Sequence, residues 1–286
     1  MPPVLVVVSD PDPVPSRVAD RWGTPPSTGE FIDGTAIRRL ADDVLTVRRP
    51  GLHIHDERLD RRIPSSLAAR GPTLVFPSIH KGEQNVRCLT VHPLGNPGPS
   101  AEVGGRPRTV VPTDPPRMAA VLRRLAEAGP AVGLPATYEA THHGPELLLP
   151  TFFVEIGYGT DPAPPAEAVR VLADTIPAVE PAAGDRVAMA VGGGHYAPHF
   201  TDLALRRRWA FGHIVSRHAL SELDRETATG AYHGTPGAEG IVFARAADAD
   251  HPAVRGLGSR LKDSTAPTRD GPGATATPVD RSSSGT

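Results

Sequence analysis

The chain holds a single cysteine, Cys88, among 286 residues. No intrachain disulfide can form, and one thiolate cannot supply a zinc-finger spacing. Cys88 also sits in an apolar run, which disfavours a thiolate nucleophile there. Lysine is almost missing. Lys81 and Lys262 are the only ones, so arginine carries nearly all the positive charge. Arginine is the better bidentate partner for phosphate. A formal net charge of -2 leaves no strong field to draw in an anionic partner from a distance. Long hydrophobic runs are absent too. The opening run through Val8 is too short to span a membrane, lacks a basic flank, and ends in Ser9-Asp10-Pro11-Asp12. A soluble, cytoplasmic protein with no membrane partner is expected. Neither a Gly-x-Ser-x-Gly elbow nor a phosphate-loop Gly-Lys-Ser/Thr occurs.

What is present points to an α/β domain. Proline (33) and glycine (29) together exceed a fifth of the chain, yet 39% of residues are hydrophobic, which argues against global disorder. Short apolar runs at Val4–Val8, Thr73–Phe76, Arg87–His92, Ala136–Ala140, Phe152–Ile156, Arg186–Val191 and Gly240–Ala244 read as strands covered on both faces. Asp114-Pro115-Pro116 supplies an N-cap and an N1 proline for a helix with Met118, Val121, Leu122 and Leu125 on one face. A second helix runs from about Pro165 to Ile176, with others over Asp202–Trp209 and His218–Thr227. Alternating strands and helices predict a three-layer α/β/α fold with a mixed sheet. Residues 1–246 are expected to form one hydrolytic domain, with 17–70 as hairpins or an irregular lobe and 247–286 a disordered tail.

Six of the twelve histidines fall in four short glycine- and proline-flanked segments. They are Leu89-Thr-Val-His92-Pro-Leu-Gly-Asn96, Glu139-Ala-Thr-His142-His143-Gly144-Pro145, Gly192-Gly-Gly-His195-Tyr-Ala-Pro-His199 and Ala210-Phe-Gly-His213-Ile. Histidine titrates near neutral pH or ligates a metal through a neutral nitrogen. Adjacent histidines on an extended backbone point to opposite sides, so His142 and His143 share an ion only if the backbone turns between them. Glu155, inside the apolar strand Phe152-Phe-Val-Glu-Ile, is costly to bury unless a cation, hydrogen bonds or a metal meets it. The bland alternative for each is structural: a hydrogen-bonded strand-end pair, or a salt bridge to an arginine. Gly192–Gly194 offer exposed N–H groups that can cradle an anion, or simply a sharp turn. Pro198 breaks the helix that a zincin-type pair at His195 and His199 would need. His53 and His55 alternate within Leu52–Asp56 like surface residues, and His80 reads as the edge of a site. Arg206-Arg207-Arg208-Trp209 suits a phosphate backbone and a stacked base, or a plain solvated helix face.

Together with Phe76-Pro-Ser-Ile-His80 and Phe153-Val-Glu155-Ile-Gly157, these segments resemble, in order, the archaeal- and plant-type D-aminoacyl-tRNA deacylase family over roughly residues 74–215. The resemblance implies a phosphorylase/hydrolase-like fold related to peptidyl-tRNA hydrolases, dependence on one or two zinc ions, and hydrolytic removal of D-amino acids from tRNA. His142, Glu155 and His195 are the expected catalytic residues. His142, His143, His195, His92 and His213 are the expected metal ligands. Arg206, Arg207, Arg208, Gly193 and Gly194 are the expected tRNA contacts. The partner is the acceptor end of D-aminoacyl-tRNA, met by a monomer that does not bind DNA. An aminoacyl ester is already activated, so one activated water and some oxyanion stabilisation suffice. Rejecting the L-isomer is harder and needs a steric wall. Two readings compete: a peptidyl-tRNA hydrolase-like or metal-dependent amidohydrolase enzyme, and a non-catalytic tRNA- or metal-binding protein. A shared ion requires His142, His143 and His195 to lie within about 10 Å of one another.

Overall fold

The computed structural model describes residues 1–81, 86–178 and 180–262. In chain order the first half forms β1 (Val4–Ser9), α1 (Pro13–Trp22), β2 (Ser27–Ile32), β3 (Thr35–Ala41), β4 (Val44–Arg49), α2 (Ser65–Ala68), β5 (Thr73–Ile79), β6 (Arg87–Pro93), β7 (Gly95–Asn96), β8 (Thr109–Val110), α3 (Pro115–Ala128) and β9 (Ala136–Tyr138). The second half forms β10 (Thr151–Tyr158), α4 (Ala166–Thr175), β11 (Arg186–Val191), α5 (Pro198–Arg207), β12 (Trp209–Val215), α6 (Arg217–Leu220), α7 (Arg225–His233), β13 (Ile241–Phe243) and β14 (Arg260–Leu261).

Eight strands build a mixed sheet in the order β2-β3-β4-β1-β5-β10-β6-β9, and four more build a second sheet, β12-β11-β13-β14. The apolar runs β1, β5 and β10 lie at its centre, each between two neighbours, which is why they read as unbroken hydrophobic stretches. Asp12 caps α1 and Asp114 caps α3 through their carboxylates, each with a proline in the first turn. Helix α3 packs on β6 and β9 of the large sheet and on β12 of the small one, so one apolar cluster joins them. The other face of the large sheet, with Phe76 and Phe153, is covered by α2 and short 3-10 turns. The α/β class and the mixed sheet agree with the sequence reading.

Two expectations about regions need correction. Within residues 17–70 both alternatives occur: β2, β3 and β4 extend the large sheet as antiparallel hairpins beside β1, and 50–70 hold only short helical turns. Leu52–Asp56 is a 3-10 turn rather than an exposed strand, and His53 is buried beside Phe153. Residues 247–262 are also folded. Ala253 and Val254 are buried against Met189 and Ile241, and β14 pairs with β13. Residues 263–286, the rest of the expected tail, lie outside the described residues. Among the described residues no helix is long and apolar enough to cross a membrane.

Candidate active site

Strands β5, β10 and β6 lay the floor. Across them Ser78, Glu155 and Thr90 form one row, and Phe76, Phe153 and His92 the next. Residues two apart on a strand share a face, so Glu155 and His92 rise on the same side. His92 Nε2 lies 3.5 Å from Glu155 Oε1. The segment after β9 then crosses this floor. His143 adopts φ of 46°, and this left-handed turn brings both adjacent rings to one side. The ring centroids of His142 and His143 are 4.5 Å apart, those of His142 and His195 4.7 Å, and those of His92 and His142 4.1 Å. Gly144 permits the turn, since a Cβ there would meet the Gly105 nitrogen at 2.2 Å.

Three rings are oriented in the same way. His92, His142 and His143 donate Nδ1–H to the carbonyls of Pro93 (3.2 Å), Ala140 (2.8 Å) and Gly144 (2.6 Å). Each is left with Nε2 to present, the arrangement that fixes metal-ligating imidazoles. One potential ligand atom from each of the three lies within 4.8 Å of the others. A second group, at the same separation, comprises Glu139, His142 and His195, and a third comprises His80, Glu139 and Glu155. Glu139 Oε2 is 2.8 Å from His195 Nε2 and 3.7 Å from His142 Nε2. His80 Nδ1 sits between the carboxylates, 3.1 Å from Glu139 and 3.3 Å from Glu155. Its Nε2 meets the Tyr196 hydroxyl at 2.7 Å.

Glu139 and Glu155 are both buried, yet the Glu139 oxygens and His92 Nε2 have no aligned hydrogen bond. Donor atoms crowd common points without bonding one another, as ligand atoms do around a cation. Imidazole with carboxylate is a donor set that suits Zn²⁺, so the residues fit that ion. His142 belongs to two of the groups but has one uncommitted nitrogen. An ion in either group therefore takes that nitrogen from the other.

Electrostatics separate the histidines. Burial, reinforced by His92 and its neighbours, pushes His142 well below its usual range and His143 down to about 4. Burial also opposes a proton on His92, but the Glu155 charge outweighs it and raises that group. Burial would depress His80 as well, yet Glu139 and Glu155 lift it to about 10. Burial works against the charge on both carboxylates. His195 and His80 nevertheless hold Glu139 low, and His92 and His80 do the same for Glu155.

The structure thus brings together His92, His142, His143, His195 and Glu155. It leaves out His213. That ring is fully buried in β12, meets Thr141 Oγ1 at 3.1 Å, and lies behind the His142 segment rather than in any ligand group. Arg206, Arg207 and Arg208 end α5 and precede Trp209, which pairs with Arg186 at the start of β11. The histidines follow the other end of β11, about 20 Å away at strand spacing. Arg206 pairs with Asp202 and Arg208 with Asp185. Gly193 and Gly194 do adjoin His195, and among the described residues nothing accepts their N–H groups. Sequence reasoning put His80 only at the edge of a site and read the carboxylate of Glu139 as orienting a neighbouring histidine, without counting either among the site residues. Their signal was an ionisable residue at the end of an apolar strand. It also missed Asp12 and His53, which line a cleft of about 570 Å³ beside His142 and His143.

A buried carboxylate–imidazole centre opening into a cleft on an α/β sheet defines a hydrolase-type site. The model of the family described as D-aminoacyl-tRNA deacylase matches residues 70–260. The chain belongs to that family. It is 37% identical to the D-aminoacyl-tRNA deacylase of Thermoplasma acidophilum over 181 residues, 63% of this chain and 70% of that one. To the Pyrococcus horikoshii D-aminoacyl-tRNA deacylase it is 35% identical over 198 residues, 67% of this chain and 71% of the relative. The crystal structure of AF0625, a conserved protein of unknown function, superposes with a TM-score of 0.73 at 26% identity, covering 87% of this chain and 89% of that one.

Proposed function

We propose that this chain hydrolyses the ester of D-aminoacyl-tRNA, releasing the D-amino acid and tRNA, with zinc held by His92, His142 and His143. The observation that carries this reading is the common orientation of those three rings, each tethered through Nδ1 with Nε2 turned toward the others. When bound, the zinc ion supplies Lewis acidity next to the scissile ester. The chain's own groups do the rest. Half-exposed His195, backed by the buried Glu139 carboxylate 2.8 Å from its Nε2, is placed to accept a proton at Nδ1 from the attacking water and return it to the leaving ribose oxygen. His80 holds the Tyr196 hydroxyl, which burial, with Cys88 and Glu139 adding to it, pushes up to about 12. That group stays protonated and is suited to donate to the carbonyl oxygen as charge develops. Glu155, under His80 and His92, keeps both rings in place and balances their charge. The free N–H groups of Gly193 and Gly194 hold the terminal ribose-phosphate. Exposed Arg217, whose backbone N–H donates to Gly193 O, adds a positive charge beside them.

The test uses full-length protein with D-Tyr-tRNA and L-Tyr-tRNA, before and after chelation and zinc readdition. D-selective release that chelation removes and zinc restores is the expected result. Release that ignores chelation removes zinc from the reading. Equal release from both isomers removes the chiral assignment.

A further inference from the structure

The cleft beside the imidazoles has two chemically different ends to choose between. An ester carbonyl at the centre carries an amino acid on one side and a ribose with its phosphodiester chain on the other. The cleft shares His142, His143 and Glu155 with the centre, so one of those two substituents must enter it. Its lining also includes the carboxylates of Asp12 and Glu102. Asp12 is 2% exposed, and its nearest cationic candidate is His53 Nε2 at 3.9 Å. His53 is itself neutral at physiological pH, because burial pushes it down to about 4. Among the described residues the cations of the lining are Lys81 and His80, and His80 is already held between the Glu139 and Glu155 carboxylates. A phosphodiester entering there would meet carboxylates, whereas the α-ammonium of an aminoacyl group would meet its complement.

The mouth of the cleft adds a second property. Leu52 is 45% exposed and Val103 48% exposed, two of the few large apolar side chains that the fold leaves in solvent. Both line the cleft, with half-buried Ile54 between them on the 3-10 turn. The two lips are packed close: a Cβ on Gly104 would meet the Ile54 carbonyl oxygen at 1.9 Å. A volume of about 570 Å³ falls within the range of small-molecule sites. We infer that this cleft is the aminoacyl pocket, in which Leu52, Ile54 and Val103 contact the amino-acid side chain, while the tRNA leaves on the opposite side over Gly193 and Gly194. The assignment rests on the deacylase reading above. It makes the pocket one for apolar and aromatic side chains, with the ammonium directed toward the carboxylate floor.

Leu52 and Val103 are exposed, so Leu52→Ala and Val103→Ala should fold like the parent, which circular dichroism checks. The measurement is kcat/KM on D-Tyr-tRNA and D-Ala-tRNA for parent, single and double variants. It is paired with the affinity of 3′-(D-tyrosylamino)adenosine and 3′-(D-alanylamino)adenosine by calorimetry. Lost apolar contacts of this size are worth roughly tenfold. The double variant is expected to lose about that factor on the tyrosyl substrate and the tyrosyl amide, and at least fivefold less on the alanyl pair. A uniform loss on both pairs, or no loss on either, overturns the pocket. A parent enzyme that cleaves neither D-substrate overturns the functional reading instead, and an amide affinity that still depends on Leu52 and Val103 would then keep the pocket alone.

Discussion

Glu155, 3.5 Å away, raises the proton affinity of His92 against the burial that opposes it, and Nε2 is the atom that must give the proton up to a cation. Zinc binding to the chelated protein at pH 6, below the ordinary histidine value from which His92 is raised, should therefore release a proton from His92. Calorimetry in two buffers of different ionisation enthalpy reads that number, and His92→Asn should abolish the release. The same buried groups set the acid and alkaline limits of the metal-free fold. His53, His143 and His213 are depressed to about 4 by burial, from 6.5 when unfolded. Their contribution is complete above pH 6.5 and is lost as pH falls toward 4. His80 is raised to about 10, so its contribution is complete below pH 6.5 and is lost as pH climbs to 10. With His142, also depressed, four of these histidines weaken the fold on the acid side, and with His92, also raised, two do so on the alkaline side. The urea midpoint of chelated protein should fall more steeply from pH 6.5 to 4.5 than from 6.5 to 8.5. A symmetric profile would refute this account. At this scale the imidazoles of His92, His142, His143 and His195 were legible, since glycine and proline around them marked turns at strand ends. His53 was not legible. Its alternation with His55 mimics a surface strand, and only the packing of Phe76 and Phe153 buries it.

Elements became legible where local chemistry and tertiary packing agree. Asp114-Pro115-Pro116 marked the start of α3, and the structure adds a reason for that aspartate. Its carboxylate accepts the Arg117 backbone N–H at 3.2 Å and the Thr73 hydroxyl at 2.7 Å, and also pairs with the Arg117 guanidinium. Arg117 is 4% exposed, so removing the carboxylate strands a buried charge as well as a helix cap. A lost cap alone costs about 1–2 kcal/mol, and a stranded buried charge about 3 kcal/mol or more. Asp114→Ala should cost at least about 2 kcal/mol in denaturant unfolding, whereas Asp114→Asn should keep most of the cap and lose less. Zinc content per folded molecule should not change in either variant, because α3 supplies no ligand. The meander of β2, β3 and β4 was legible only as one of two alternatives, for the opposite reason. Strands β2 and β3 mix exposed with half-buried positions, so their local pattern is weak. Pairing with the hydrophobic β1 stabilises them, and that long-range term has no trace within a short window.

The molecule as a whole depends on a segment whose composition argued against structure. Residues 244–262 contain few branched aliphatics, yet Ala253 and Val254 cover Met189, Val191 and Ile241 of the small sheet. Few apolar side chains are enough there, because they dock on a surface the rest of the chain has already built. The segment also reaches the site. Asp248 is 4% exposed, pairs with Arg245, and presses on Gly192, where a Cβ would meet its carboxylate oxygen at 2.3 Å. Gly192 leads directly into Gly193, Gly194 and His195. A chain ending at Phe243 should therefore differ in two ways from one ending at Lys262. It exposes apolar surface of the third cluster, worth about 1.5–3 kcal/mol for each large side chain uncovered. For a chain of this length that lowers Tm by roughly 2–4 °C per kcal/mol, so a drop of about 5 °C or more is expected. It also frees the Gly192–His195 loop, so kcat/KM on D-Tyr-tRNA should fall further than the folded fraction does. If activity merely follows the folded fraction measured by circular dichroism at the same temperature, residues 244–262 only cover the small sheet and do not position His195.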